Sequence, residues 1–200
     1  MVSKREIDVY KFEELSKDAK ETVIERMQEQ ASEYMDMEFF SEYAKNYIEE
    51  KGFEDVEVNY SLGYSQGDGF SFTGTASDNE KFLRNQFGDK FAELATSEYV
   101  DDLNISVQRS SSHYSHEKTV SFEVSIYYSD DEDDNYDKET AKLSKLVVEL
   151  EELGEEWKDD ICKQLEKDGY AEIEGNSSRD TILDDIEAND YDFDEEGSVI

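Results

Sequence analysis

Val56-Glu57-Val58-Asn59-Tyr60-Ser61-Leu62, then Gln66-Gly67-Asp68-Gly69, then Phe70-Ser71-Phe72-Thr73-Gly74, is the stretch that decides the fold. Val56, Val58, Tyr60 and Leu62 fall on one face of an extended chain, and Glu57, Asn59 and Ser61 on the other. The period of two resumes at Phe70 and Phe72, after a turn whose glycines permit positive φ. Two alternating runs joined by a glycine-containing loop predict a β-hairpin with one apolar face. A second hairpin follows, pairing Ile105 and Val107 with Val120, Phe122, Val124, Ile126 and Tyr128. Its polar connection holds Ser110-Ser111-Ser112, His113 and His116.

Helical spacing surrounds these hairpins. Ser16 is placed to cap a helix running to about Glu33, with Ala19, Val23, Met27 and Ala31 on one side. Phe40, Tyr43, Ala44, Tyr47 and Ile48 mark a second helix, which Gly52 ends. Ser77 and Glu80 have capping-box spacing before Phe82, Leu83, Phe87, Phe91 and Leu94. Leu143, Leu146, Val147, Leu150, Trp157, Ile161 and Leu165 outline the longest helix. Ser177 with Asp180 opens a last one carrying Ile182, Leu183 and Ile186, and Tyr191 and Phe193 are expected to dock. Ile7 and Val9 could add a short first strand. The fold class expected is α+β: an antiparallel sheet of four to five strands, helices packed mainly on one face, and a long acidic C-terminal helix. Residues 1–128 would form the α+β core and 129–200 an acidic helical region packed on it.

Charge bounds the function. Fifty-four acidic residues against 20 basic ones give a net charge of −34. Residues 1–126 carry 27 acids and 13 bases, and residues 127–200 carry 27 acids and 7 bases. Nucleic acid and anionic membrane would both repel such a chain, so neither is expected as a direct partner. A solubility device, a salt-adapted surface and a surface shaped for a basic protein remain as readings. Lys supplies 15 of the 20 basic residues and the apolar set is rich in Phe, Tyr and Ile, which speaks against salt adaptation. Solubility alone asks for a net charge of only about 2–8 in a small domain. The single Cys162, the polar start Met1–Glu6 and the lack of a long apolar run predict a cytoplasmic protein.

The acids are most concentrated on the long helix. Glu149, Glu152, Glu156 and Asp160 form one row, and Glu151, Glu155 and Asp159 another, flanking the apolar stripe. Seven charges over a span of about 17 Å amount to one per about 2.4 Å, against about 1.7 Å along duplex DNA. With the loop Asp130-Asp131-Glu132-Asp133-Asp134, these residues make a candidate partner-binding polyanion. Like charges at i, i+4 cost a helix a few tenths of a kcal/mol each, so stability does not call for them. An ordinary solvated face is the plain alternative.

Other signals are weaker. The turn could present Tyr64, Gln66, Asp68, Ser71 and Thr73 to a partner, or Asp68 could simply bond its own turn. No lysine follows the glycines, so the turn is no phosphate loop. His113 and His116 lie in a polar connection and suggest no metal. Asp130, Glu132 and Asp134, and again Asp190, Asp192 and Asp194, start calcium-loop patterns that lack the glycine at position 6. No nucleophile, histidine and acid fall into a catalytic pattern. Neither an enzyme nor a cofactor is expected.

Three segments resemble one known family. Val9-Tyr10-Lys11-Phe12-Glu13-Glu14-Leu15-Ser16 with Ala19-Lys20, Tyr64-Ser65-Gln66-Gly67-Asp68-Gly69-Phe70-Ser71-Phe72-Thr73-Gly74, and Ile186–Phe193 with Gly197 resemble, in the same order, the conserved pieces of small tailed-phage and prophage accessory proteins often described as antitoxins. This chain departs from their pattern in having no Trp before the turn. The resemblance implies a phage accessory protein. Joined to the charge, it suggests an inhibitor of a host restriction or CRISPR effector that mimics DNA or RNA. An antitoxin-like module docking through the Tyr64–Gly74 hairpin is the alternative.

Overall fold

A computed structural model describes residues 8–33, 37–111, 113–126 and 138–200. The architecture is α+β, with a four-stranded antiparallel sheet in the order β1-β2-β3-β4. The strands are β1 (Phe53–Ser61), β2 (Gly69–Ala76), β3 (Leu103–Arg109) and β4 (Val120–Ile126). The helices are α1 (Lys17–Glu33), α2 (Glu38–Glu50), α3 (Asn79–Phe87), α4 (Ala92–Ala95), α5 (Lys138–Asn176) and α6 (Arg179–Asn189). No described helix is long and apolar enough to cross a membrane.

The chain divides into two compact units, Met1–Met37 with Tyr170–Ile200, and Glu38–Gly169. This differs from a division at 128/129. The acidic helix belongs mostly with the sheet, and the two ends of the chain fold together.

In the Glu38–Gly169 unit, the alternation seen in the sequence sorts the sheet cleanly. Register places Val58 beside Phe72, Tyr60 beside Phe70, Val107 beside Phe122 and Ile105 beside Val124 on one face. Asn59 beside Ser71, Thr75 beside Ser106, and Gln108 beside Ser121 stand on the other. The helices cover the apolar face. Trp157 of α5 stacks on Phe53 at 5.5 Å and meets Phe72, Phe82 and Phe122 edge-on. Phe40 of α2 meets Tyr60 and Phe70. Phe70, Phe72, Phe82 and Phe91 are fully buried, each worth about 1.5–3 kcal/mol of burial free energy.

Three local expectations shift. Asp78, not Ser77, caps α3 by accepting from the Lys81 N–H at 2.9 Å, while the Ser77 hydroxyl donates to the Gly52 carbonyl. The run from Phe82 to Leu94 is broken at Gly88, whose φ of +60° ends α3 before a short 3-10 turn. Tyr43 is half exposed, so the buried stripe of α2 is Phe40, Ala44 and Ile48.

The other unit packs Leu15, Ala19, Val23, Ile24, Ile182, Ile186 and Phe193 into a core of its own. Ser16 caps α1 through the Ala19 N–H, as its position predicts, and Ser178 rather than Ser177 caps α6. The expected first strand is reduced to a single bridge between Tyr10 and Phe193, and Ile7 lies outside the described residues. Phe193 is buried and Tyr191 packs against that core, so the tail docks.

Both sheet edges are guarded. β1 carries a bulge between Glu54 and Glu57, with Asp55 at φ +53°, a device that twists an edge away from further pairing. The β4 edge is covered by α5. Gly154 makes that approach feasible, because a Cβ there would stand 2.2 Å from the Phe122 ring.

Candidate functional site

The two acidic rows of α5 have different surroundings. On the inner row, the Phe122 N–H donates to Glu155 Oε2 at 2.8 Å and the Val124 N–H donates to Glu151 Oε1 at 3.2 Å. Carboxylates four residues apart on a helix are about 6 Å apart along its axis, and alternate strand amides about 6.8 Å apart. The helix thus answers the outward N–H groups of Phe122 and Val124 as a fifth strand would. Edge amides otherwise offered to a foreign chain are closed off.

Lys158 completes the seam. It is fully buried, and its ammonium donates to the Glu117 carbonyl at 2.9 Å, the Val120 carbonyl at 2.8 Å and Glu155 Oε1 at 2.6 Å. Those three bonds use all its protons, so Asp159 Oδ1 at 3.0 Å is held by charge alone. Asp159 also pairs with Lys118. Burial pushes the Asp159 carboxyl up, but Lys118 and Lys158 outweigh it and hold the carboxyl below its ordinary value.

Glu149, Glu152, Glu156 and Asp160 are exposed. Glu149 pairs with Lys90 at 2.9 Å, while Glu152, Glu156 and Asp160 make no ion pair among the described residues. The polyanion predicted from seven charges is therefore corrected. Glu151, Glu155 and Asp159 are structural, and the solvent row carries four charges over the same span, one per about 4 Å. Asp130, Asp131, Glu132, Asp133 and Asp134 lie outside the described residues.

The hairpin site resolves differently. Asp68 accepts from the Ser61 hydroxyl at 2.7 Å, the Ser65 N–H at 2.7 Å and the Ser65 hydroxyl at 2.9 Å, so its carboxylate organises its own turn. Ser71 is buried with its hydroxyl on the Asn59 carbonyl, and Thr73 is half-buried on the polar sheet face. Tyr64 is exposed at φ +55°. Gln66 and Asp68 border a recess.

That recess joins two sequence features that lay far apart. Gln66, Gly67 and Asp68 face Tyr114, His116, Glu117, Lys118 and Glu166 around an open cavity of about 480 Å³. The glycines admit the second loop: a Cβ on Gly67 would stand 2.6 Å from the Tyr114 ring, and one on Gly69 2.5 Å from His116. Tyr114 lies between the two histidines, stacked on His116 and edge-on to His113. His116 Nδ1 accepts from the Lys118 N–H at 3.1 Å. In Asp190–Asp194, two carboxylates bind Lys11 and the third accepts from the Glu196 and Ser198 N–H groups. Among the described residues, no three His, Cys, Asp or Glu side chains are grouped to hold a metal ion.

Lys158, Tyr114 and Glu166 were not singled out by the sequence. Lys158 had a signal, since it falls in the stripe of Leu150, Gly154, Ile161 and Leu165. Tyr114 and Glu166 had none, because only the tertiary fold brings them to the turn. Cys162 is buried, and burial pushes its thiol up to about 12, leaving it inert.

No curated protein and no solved structure matches this chain. The profile of a domain of unknown function, DUF8835, matches residues 20–178, well over half of the sequence and covering the sheet, the α5 seam and the recess. The chain belongs to the DUF8835 family.

Proposed function

We propose that this protein is a binding protein for a basic partner, engaging through the solvent row of α5 the cationic groove with which that partner holds nucleic acid. One observation carries the reading. Glu152, Glu156 and Asp160 stand exposed on α5 with no ion pair among the described residues, while neighbouring acids on that helix are consumed internally. A net charge of −34 far exceeds what solubility needs and works against the compact state. At one charge per about 4 Å the row is sparser than a phosphate backbone, so the reading is an electrostatic fit to a basic groove rather than a charge-for-charge copy of DNA. The resemblance of the Val9–Lys20, Tyr64–Gly74 and Ile186–Gly197 segments to phage accessory proteins supports a restriction or CRISPR effector as the partner.

The test immobilises the protein and passes bacterial nucleic-acid-binding proteins over it at low salt. Retention should be displaced by duplex DNA, weaken steeply with salt, and be lost in E149Q/E152Q/E156Q/D160N. Retention indifferent to DNA, to salt and to that variant contradicts the proposal.

A further inference from the structure

The inner row of α5 continues past Asp159. Glu166 lies seven residues on, within about 20° of the same side of the helix. Each earlier carboxylate of that row meets a donor: a strand amide for Glu151 and Glu155, two lysines for Asp159. Glu166 has no hydrogen bond or ion pair among the described residues. It borders the recess instead, half-buried beside Asp68 and Glu117. Burial pushes its carboxyl up, Glu117 and Asp68 push it further, and His116 opposes them. Lys118, the one ammonium on the recess wall, is turned to Asp159.

A half-buried carboxylate facing other carboxylates is unfavourable until a cation arrives. The wall also offers the Tyr114 ring, 50% exposed and fixed in place by the His116 ring and Gly67. An aromatic face beside carboxylates suits a planar, delocalised cation better than a compact ammonium. Arg109 ties the loop down by donating to the Ser111 and Tyr114 carbonyls and to Asn59 Oδ1, so the wall is formed before any ligand enters.

We propose that the recess between the Gln66–Asp68 turn and Tyr114 binds a guanidinium group, the side chain of an arginine on a basic protein partner, with Glu166 as counter-ion and Tyr114 as the stacking surface. The source of the arginine rests on the function proposed above. The chemistry of the recess does not, and it is testable without the partner.

The probe is N-acetyl-arginine amide, titrated into the full chain and followed by NMR, with the uncharged isostere N-acetyl-citrulline amide as control. The arginine probe should saturably shift Gly67, Tyr114 and His116, and should lower the pH at which the Glu166 carboxyl titrates, since a bound cation favours the ionised form. E166Q should weaken the probe by about tenfold, the loss of one charge-assisted hydrogen bond. Y114L should weaken it several-fold with the Glu166 titration retained, and E156Q should leave it unchanged. Equal response to citrulline, unaltered affinity in E166Q, or a Glu166 titration indifferent to the probe overturns the proposal. Probe binding that survives in E149Q/E152Q/E156Q/D160N after partner retention is lost upholds the recess separately from the solvent row. Partner retention with no probe binding overturns the recess alone.

Discussion

The two rows of carboxylates on α5 share a helix, a charge and a spacing, and differ in what they face. Glu151, Glu155 and Asp159 look onto the outer edge of β4, where amides and lysines answer them. Glu152, Glu156 and Asp160 look into solvent, with exposed Glu149 at the end of their row paired to Lys90. A negative charge in a sequence is thus two different objects: an acceptor that completes a fold, or a free charge available to a partner. The donor opposite decides which.

Perturbing the seam should separate the rows most sharply at Lys158. Lys158→Met leaves the Glu117 and Val120 carbonyls without their donor and Glu155 without its cation, and should cost about 3 kcal/mol in urea unfolding. Glu155→Ala should cost about 2 kcal/mol, because the Phe122 N–H is left without an acceptor. Glu155→Gln, which can still accept that N–H, should recover part of the loss. Gly154→Ala sets the helix's gain of about 1 kcal/mol against a Cβ driven into the buried Phe122 ring, for a net loss of about 1–2 kcal/mol.

Acid titration sharpens the comparison. The Asp159 carboxyl is held below its ordinary value by Lys118 and Lys158. Its contribution is therefore fully present above the unfolded-state carboxylate range and lost as pH falls through the depressed folded value. Asp159→Asn should flatten that acid limb of the stability curve. At the smallest end, neutralising the solvent row should change stability by no more than about 0.5 kcal/mol.

How much of this was written in the sequence depends on the range of the contact. Val56–Leu62 and Phe70–Phe72 announce a hairpin because the pleat forces alternate side chains to one face. Ser16 and Gly52 announce helix ends for reasons equally local. Gly88 was readable only as a glycine, since nothing local says that its φ of +60° ends α3 there and leaves Phe91 to a 3-10 turn. The two acidic rows were visible as rows, but nothing in Glu151 or Glu155 says that β4 is an edge strand with outward amides, because strand order is a property of the whole sheet. Lys158 hid behind its charge, although its aliphatic stem and position suit the buried stripe. The recess was the least legible, for Gly67 and Tyr114 meet only after both hairpins have closed.

The most direct measurement compares E151Q/E155Q/D159N with E149Q/E152Q/E156Q/D160N, each followed by urea unfolding and by retention of a nucleic-acid-binding partner. The account predicts that the first variant loses stability and keeps partner retention wherever it remains folded, and that the second keeps its stability and loses the partner. Equal stability losses in the two, or partner retention that tracks the inner row in the folded protein, would contradict it.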